Sequence, residues 1–426
     1  MKEKQNNIDR RDFLKAVGAA GLAPAVGGMA AGFVSTKASA DPNDSSAAEN
    51  IQKSKLPLVP KRKLGKTGVK VSRLCLGGDL SFLDKQIILR KAFDWGVNYW
   101  DTAYNYGGGN AELGIGKFLS KNPQVRKELF IVSKPAIFWG AITAEKVENR
   151  LQTSLKRMNT DYIDLYYGVH GLSDPARLTD ELKRWAKSAK KRKLIRFFGF
   201  STHKNMAQCL IAAAKLDWID AITTLYNFRV MQDPKMQAAI EACHKTGIGL
   251  TAMKALSRSV RRLQEIETEE DKKLVGHFQK RGFTEGQAKI KVVLEDKRFS
   301  SVCVGMENIA LLTSNVATVL NKTKLSQMDM DVFKEYAQAT CSGYCVGCAY
   351  ICNAALAAAP YVSDIMRYLM YYNSYGEHDK ARQLFARIPA NVRDKLLRLD
   401  YRPAEAHCPQ HLPIGELVAE AVSKLA

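Results

Sequence analysis

The sequence lacks three features that would place it in common functional classes. It has no nucleic-acid-binding motif, although 64 Lys and Arg against 43 Asp and Glu give a net charge of +21. Past Ala40 it has no apolar run long enough to span a membrane. It has no glycine-rich phosphate turn after the first predicted strand, where Leu76-Gly77-Gly78-Asp79 stands instead. These absences argue against nucleic-acid binding, a membrane-spanning mature protein and an open dinucleotide-binding sheet.

The amino terminus has the pattern of an export signal and is set aside from the fold. Asp9-Arg10-Arg11-Asp12-Phe13-Leu14-Lys15 precedes a weakly apolar segment from Ala16 to Val34, which is typical of a twin-arginine signal. The segment ends at Ala38-Ser39-Ala40, so we expect the twin-arginine export machinery to deliver the chain to the periplasm and cleavage before Asp41. An uncleaved anchor helix is the alternative, which Pro24 disfavours. Because this route carries folded proteins, it also suggests a bound cofactor.

Eight short apolar runs alternate with eight helical patterns along the middle of the chain. The predicted strands lie near Arg73–Gly77, Val97–Asp101, Leu129–Lys134, Tyr162–Val169, Ile195–Ser201, Ala221–Tyr226, Gly249–Met253 and Ser301–Gly305. The predicted helices are Asp84–Trp95, Ala111–Ser120, Ala144–Met158, Asp180–Arg192, Lys204–Ala214, Pro234–Thr246, Thr284–Leu294 and Ala310–Leu320. This alternation predicts an α/β fold, a (βα)8 TIM barrel, with an open doubly wound sheet as the alternative.

The prediction divides the chain into four parts. Residues 1–40 form the signal, residues 41–60 a polar linker, residues 61–322 the barrel, and residues 323–426 a helical, cysteine-rich extension. Within the barrel, the charged segment from Lys254 to Gly282 is either a lid over the barrel mouth or a surface insertion.

Ionisable residues end three consecutive predicted strands. Asp101 ends strand two, Lys134 strand three and His170 strand four, and Tyr106 follows shortly after Asp101. The carboxyl ends of barrel strands meet at the active-site face. These residue types suit carbonyl reduction, with Tyr106 as general acid and Lys134 favouring its phenolate. Asp101 would neutralise the lysine, and His170 would donate a hydrogen bond to the carbonyl oxygen.

The residues around Asp101 and Tyr106 resemble a known signature. The stretch Asn98-Tyr99-Trp100-Asp101-Thr102-Ala103-Tyr104-Asn105-Tyr106-Gly107 is similar to that of the aldo/keto reductase family, with Ser133-Lys134 and His170 following in order. The similarity runs roughly from Lys61 to Leu320. It implies a barrel that binds NADP or NAD across its mouth and transfers hydride to or from a small-molecule carbonyl or alcohol substrate.

The same resemblance implies a set of cofactor-binding residues. They are Ser201, Thr202, Met253, Lys254, Gly305 and Asn315. Three positions depart from the family pattern: Thr223 stands where Gln is expected, Met253 where an aromatic residue often stacks on nicotinamide, and Leu311 where Arg often binds the 2′-phosphate. NADP is therefore not favoured over NAD. An exported enzyme must also hold its cofactor tightly, because its compartment lacks a free nicotinamide pool.

Five of the nine cysteines follow the barrel. Cys341, Cys345, Cys348 and Cys352 form a C-x3-C-x2-C-x3-C run, and Cys408 precedes a proline far downstream. The run resembles the ferredoxin-type motif that ligates a 4Fe-4S cluster, although Asn353 replaces the usual proline. Some exported aldo/keto reductase-like proteins carry such a tail. We expect these four residues to hold at most one cluster, which would pass electrons to a partner; disulfides or zinc are the alternatives.

Two further functions stay open. A barrel that no longer transfers hydride would serve as a binding or assembly protein, and a failure to bind nicotinamide would indicate it. A lyase or isomerase would use Tyr106, Lys134 and His170 as acid and base, and activity without added nicotinamide would indicate that.

Overall fold

The computed structural model describes residues 57–138, 140–257, 260 and 268–426, so the export signal lies outside the described residues. Eight parallel strands close into a barrel in the order β10-β3-β4-β5-β6-β7-β8-β9. The strands are β3 Leu74–Gly77, β4 Tyr99–Asp101, β5 Phe130–Ser133, β6 Ile163–His170, β7 Ile195–Thr202, β8 Ala221–Leu225, β9 Gly249–Met253 and β10 Phe299–Gly305. A hairpin of β1 Lys61–Lys63 and β2 Lys70–Ser72 precedes them.

Helices cover the outside of the barrel. They are α1 Gln86–Asp94, α2 Asn110–Lys121, α3 Ala144–Met158, α4 Asp180–Lys191, α5 Met206–Ala213, α6 Pro234–Lys245, α7 Glu269–Lys280, α8 Glu285–Glu295 and α9 Ile309–Leu320. The predicted (βα)8 barrel is confirmed, and each predicted strand overlaps one of the eight. The agreement has a simple cause, because strands buried on both faces must be nearly continuous apolar runs. The runs around Ile131 and Leu250 are examples, and both residues are fully buried.

The segment between β9 and α8 contains a helix that the sequence did not predict. Thr268 and Asp271 form a capping box at the start of α7. The helix is fixed against the carboxyl-terminal extension, since Asp271 accepts a 2.6 Å hydrogen bond from Tyr336 and His277 lies 2.7 Å from Asp329. Residues 258–259 and 261–267 lie outside the described part, so the prediction of a lid is not tested there.

The carboxyl-terminal extension is helical, as predicted, and is called the tail below. Its helices are α10 Gln327–Ala339, α11 Ala349–Ala355, α12 Val362–Tyr375, α13 His378–Ala386, α14 Ala390–Arg393, α15 Arg402–Ala406 and α16 Ile414–Leu425. Helix α10 packs into the core of the barrel through Phe333 and Ala337. The later helices enclose a separate apolar core that includes Ile365, Leu369, Phe385 and Val418. Among all described residues, no helix has both the length and the apolar character needed to cross a membrane.

The tail docks on the barrel mouth through polar contacts. Lys204, after β7, donates to both carboxylate oxygens of Asp364 at 2.8 Å, and Arg367 donates to the carbonyl of His203 at 2.8 Å. Gly347 lies so close that a Cβ there would meet the His203 carbonyl at 2.4 Å, and its φ of 78° also favours glycine. The tail therefore forms a roof over the end of the barrel that carries the predicted active site.

Candidate active site

The four predicted catalytic residues lie together at the carboxyl ends of β4, β5 and β6. Lys134 Nζ donates to Asp101 Oδ1 at 2.6 Å and to the Thr102 carbonyl at 2.8 Å. The same Nζ lies 4.8 Å from the ring centroid of Tyr106, whose ring centroid is 5.8 Å from that of His170. Asp101 and Lys134 are only 6% and 2% exposed, so this ion pair is shielded from bulk water.

A glycine-rich turn fixes the position of Tyr106. Gly107, Gly108 and Gly109 follow it with φ values of 55°, 67° and 100°, a conformation that other residues adopt at a cost. The turn leads directly into α2, and the Tyr106 amide donates to the Ala103 carbonyl. The three glycines thus make the chain turn immediately after Tyr106, and this turn places the tyrosine ring beside Lys134.

The electrostatics of Tyr106 differ from the expectation. Burial raises the pKa of Tyr106 well above its ordinary value, and the carboxylates of Asp79 and Asp101 raise it further. We expected Lys134 to favour the phenolate, but its ammonium donates to Asp101 and the Thr102 carbonyl, and burial of Tyr106 prevails. Tyr106 is therefore a neutral phenol at neutral pH, which makes it a proton donor.

The protonation of His170 agrees with the role predicted for it. Burial lowers the pKa of His170 well below its ordinary value, and the charges of Lys134 and Lys380 lower it further. Its ring packs 4.8 Å from the ring of Phe138, and its Nδ1 is buried without a hydrogen-bond partner. A neutral imidazole carries one N–H, which suits hydrogen bonding to a carbonyl oxygen.

A cavity of about 530 Å³ lies above these four residues, within the usual size range of small-molecule sites. Four of the six predicted cofactor-binding residues line it, namely Ser201, Met253, Lys254 and Gly305. Ser201 Oγ accepts a 3.0 Å hydrogen bond from the Gly171 amide and lies at the cavity wall.

The other two predicted cofactor-binding residues do not reach the cavity. Thr202 is fully buried and donates its hydroxyl to the Leu172 carbonyl at 2.6 Å, so its side chain is already used within the fold. Asn315 is buried within α9 and does not line the cavity. Of the departures noted in the sequence, Thr223 lines the cavity but its hydroxyl is 2.8 Å from that of Tyr167, and Leu311 is exposed.

The tail supplies a part of the cavity wall that was not predicted from the sequence. The tail residues include Tyr361, Asp364, Arg367, Tyr368, Tyr371 and Lys380. One signal was present: Asp364, Arg367, Tyr371 and Tyr375 recur at helical spacing and so share one face of α12. Without the docking of the tail, nothing in the sequence related that face to the barrel.

The cysteine cluster also differs from the predicted ligand set. Cys345, Cys348, Cys352 and Cys408 line one small cavity between α11, α12 and the start of α16, surrounded by apolar side chains. Cys341 does not line this cavity. It begins a short turn directly after Thr340, and Thr340 accepts a hydrogen bond from Arg229 on the barrel side. The difference arises because the chain returns after α15 and brings Cys408 next to Cys345, Cys348 and Cys352.

All nine cysteines are free thiols, so the disulfide alternative is not realised in this structure. Among the described residues, no group of three or more His, Cys, Asp or Glu side chains is close enough to hold a single metal ion.

Comparison with known proteins agrees with this fold. The profile of the aldo/keto reductase family matches residues 74–338, and that of the twin-arginine translocation signal matches residues 7–27. The chain is 24% identical over 293 residues to L-galactose dehydrogenase of Arabidopsis thaliana, covering 63% of this chain and 90% of the relative. It is 26% identical over 320 residues to L-glyceraldehyde 3-phosphate reductase of Escherichia coli K12, covering 64% and 92%.

Solved structures give the same fold. A thermostable aldo-keto reductase crystallised with the inhibitor epalrestat is 24% identical, with a TM-score of 0.53, covering 65% of this chain and 99% of its own. The holo form of an aldo-keto reductase from Bacillus halodurans is 20% identical, with a TM-score of 0.54, covering 65% and 96%. The signal directs export by the twin-arginine route to the periplasm. With its matched barrel, the chain belongs to the aldo/keto reductase family, whose members are oxidoreductases.

Proposed function

We propose that this protein is an exported oxidoreductase that transfers hydride between a tightly bound nicotinamide, NADP or NAD, and a carbonyl or alcohol. The observation that carries the proposal is the buried Lys134–Asp101 pair beside Tyr106, with a neutral His170 facing the same cavity. Relatives are named for L-galactose and L-glyceraldehyde 3-phosphate. We extend this to a sugar-like or aliphatic substrate.

The chain's own residues would orient the substrate and move the proton. The substrate oxygen would lie between the Tyr106 hydroxyl and the His170 N–H, where charge that develops on it is stabilised. The high pKa of Tyr106 keeps its proton in place until that oxygen becomes basic. Lys134, held by Asp101, then stabilises the phenolate that remains. In the oxidative direction the same residues act in reverse.

The residues at the cavity fit a nicotinamide in part. When bound, this cofactor would supply or accept the hydride. Ser201, Met253, Lys254 and Gly305 line the cavity next to His170 and would hold it. Thr202 and Asn315 drop out of the proposed set, because neither reaches the cavity. The cofactor would therefore be held by fewer residues of the predicted set than the family pattern implies.

Protein purified from the periplasm of an exporting host is expected to contain close to one nicotinamide dinucleotide per chain. An exported oxidoreductase cannot draw on a cytoplasmic pool, so its cofactor must travel with it. Acid extraction followed by enzymatic assay for NAD and NADP measures this. A chain that carries no dinucleotide and binds none when it is added would instead support a binding or assembly protein. Turnover without any nicotinamide would support a lyase or isomerase.

We further propose that Cys345, Cys348, Cys352 and Cys408 hold one 4Fe-4S cluster that exchanges electrons with a partner. Four thiols within an apolar shell match the ligands of such a cluster. The cavity between the thiols is only about 10 Å³, so cluster binding would move these side chains outward. When bound, the cluster would supply one-electron redox chemistry. Restoring the cofactor without its release would take two such electrons from the partner and one proton.

Replacing Cys408 by serine is expected to remove most of the iron, whereas replacing Cys341 by serine should leave it unchanged. Both variants replace a thiol by a hydroxyl, Cys408 among the four grouped thiols and Cys341 outside them. Iron and acid-labile sulfide analysis of anaerobically purified protein measures the result. Iron loss in the Cys341 variant with retention in the Cys408 variant would restore the ligand set predicted from spacing. Zinc in place of iron would refute the redox role.

A further inference from the structure

The roof of the cavity carries an unusual concentration of positive charge. Arg367 and Tyr371 on α12 and Lys380 on α13 face Lys254, which follows β9. Lys254 Nζ lies 4.9 Å from the ring centroid of Tyr371, and Lys380 Nζ lies 4.8 Å from the same centroid. Three cations from two parts of the chain thus surround one tyrosine at the cavity wall.

Three of the six cations that line the cavity have carboxylate partners. Lys134 pairs with Asp101, Lys204 with Asp364, and Lys380 with both Asp79 and Glu377. Within each pair the opposite charges compensate, so these lysines add little net charge to the cavity.

Arg177, Lys254 and Arg367 have no carboxylate partner among the described residues. Arg177 donates to the Gly140 carbonyl, whereas Lys254 and Arg367 act on Tyr371. Arg367 is 9% exposed and donates one hydrogen bond, from Nη2 to the His203 carbonyl. Its Nε is buried without a hydrogen-bond partner. Burial, Arg367 and Lys380 oppose the charge of Lys254, but Tyr371 and Tyr375 outweigh them, so the pKa of Lys254 is raised and the lysine stays charged. Like charges at the wall of a partly dehydrated cavity repel one another, and a bound anion would remove that cost.

The backbone holds Lys254 in this position. Its φ of 57° lies in the left-handed region, which a non-glycine residue adopts at a cost. Its carbonyl accepts hydrogen bonds from Asn227 Nδ2 at 3.1 Å and from the Ser257 amide at 3.1 Å. Asn227 in turn lies 2.8 Å from the hydroxyl of Tyr344 in the tail. The docked tail therefore fixes the conformation that places the Lys254 side chain against Tyr371.

Tyr371 responds to this charge. Burial raises the pKa of Tyr371, but Lys254, Arg367 and Lys380 together outweigh burial, so its pKa is lowered. Tyr371 lines the same cavity as Tyr106 and is one of the groups that raise the pKa of Tyr106. The positive potential at the roof therefore acts within the same cavity as the predicted proton donor.

We propose that Lys254 and Arg367, with Lys380 and the Tyr371 hydroxyl beside them, bind an anionic substituent, a carboxylate or a phosphate, of the substrate whose carbonyl faces Tyr106 and His170. The assignment of the carbonyl end rests on the proposed function; the anion site itself does not. Lys254 also stands in the predicted cofactor set, so a phosphate of the dinucleotide is the other source of such an anion. The tail would then select charged substrates for a barrel that acts on carbonyls.

Inorganic phosphate is the first probe, because its binding requires no catalysis. Calorimetric titration of the full-length chain is expected to detect binding that Arg367→Gln weakens about tenfold or more, which is the loss of one charge-assisted hydrogen bond. Glutamine keeps a polar N–H but is shorter than arginine, so docking of the tail in this variant is checked by circular dichroism and thermal unfolding. The matched control is Arg398→Gln, at an exposed position of the tail outside the cavity, which should bind phosphate normally. Equal binding by both variants, or no binding by the native chain, would overturn the proposal.

Spectroscopy reports on the same site independently. Because a bound anion offsets the cations around Tyr371, phosphate is expected to raise the pKa of Tyr371, seen as a loss of tyrosinate absorbance at alkaline pH. Tyr371→Phe should abolish that difference. If Arg367→Gln fails to fold, as judged by circular dichroism, Lys254→Gln provides the second variant. Persistence of the absorbance change in Tyr371→Phe would count against the site.

Steady-state kinetics separate the two sources of the anion. With 4-oxobutanoate and its neutral analogue 4-oxobutanamide, the native enzyme should show the higher kcat/KM for the charged aldehyde, and Arg367→Gln should lose that preference. The dinucleotide Kd should remain within about twofold. A weaker dinucleotide Kd with unchanged preference would assign the anion to the cofactor and overturn the proposal. Phosphate binding without any carbonyl reduction would refute the proposed function while supporting the anion site.

Discussion

Replacing Tyr106 by phenylalanine is expected to lower kcat by about 10² to 10⁴-fold and to leave the Kd of the dinucleotide nearly unchanged. The phenol is the only part of the residue that donates a proton, and phenylalanine keeps the ring that packs against His170. Because Tyr106 is neutral, its proton is available for transfer in the reductive direction. Rapid-mixing measurements of hydride transfer, with the dinucleotide Kd from fluorescence, test both halves of the prediction.

The control is Tyr104→Phe, which removes a hydroxyl two positions away that does not line the cavity. Its kcat should stay within about twofold of the native value. The pH profile adds a second readout. Because burial raises the pKa of Tyr106, the rate of reduction should remain constant through neutral pH and fall only above the ordinary tyrosine range. A native rate that already falls near neutral pH, or a Tyr106→Phe variant with native kcat, would contradict the assignment of the proton donor.

The barrel and its four central residues could be predicted because they depend on local patterns. Strands buried on both faces require apolar runs, and closure of a parallel barrel brings the carboxyl ends of β4, β5 and β6 to one side. Asp101, Lys134 and His170 therefore had to meet, whatever the details of packing. The raised pKa of Tyr106 could not be predicted, because it depends on how deeply the fold buries the phenol and on how close it brings Asp79 and Asp101.

The tail could not be placed from the sequence, because its docking depends on contacts between distant residues. The Lys204–Asp364 pair joins positions separated by 160 residues, and no periodic pattern connects them. The same limit applies to the cysteines. Spacing along the chain favours the four thiols nearest in sequence. The fold instead groups Cys408, and not Cys341, with Cys345, Cys348 and Cys352 around one small cavity. A site assembled from a barrel and an added helical unit is visible only when both are folded together.

Replacing Lys134 by methionine is expected to destabilise the fold by about 3–5 kcal/mol and to abolish turnover, because Asp101 would remain buried without its partner. Asp101→Asn breaks the same pair from the other side. The double variant Asp101→Asn with Lys134→Met leaves no buried charge of the pair, so it should recover much of the lost stability. Urea unfolding of the four proteins gives the free energies of unfolding and the coupling between the two sites.

The stability of Lys134→Met should also depend on pH in a defined direction. In the native chain burial raises the pKa of Asp101, and Lys134 partly offsets that rise. Without the lysine, the pKa of Asp101 in the folded state moves further above its unfolded value, so the folded state binds a proton that the unfolded state has lost. Stability of the variant then falls as pH rises through that interval, and its deficit against the native chain is larger at about pH 7 than at about pH 5.

The two parts of this experiment distinguish a structural ion pair from a catalytic one. If the pair served only the fold, the double variant would regain turnover together with stability. If Lys134 stabilises the phenolate of Tyr106, the double variant regains stability at neutral pH and remains inactive, because methionine carries no charge for the transition state. A deficit that is equal at both pH values, or a double variant as unstable as Lys134→Met, would show that the cost arises from packing and not from an uncompensated Asp101.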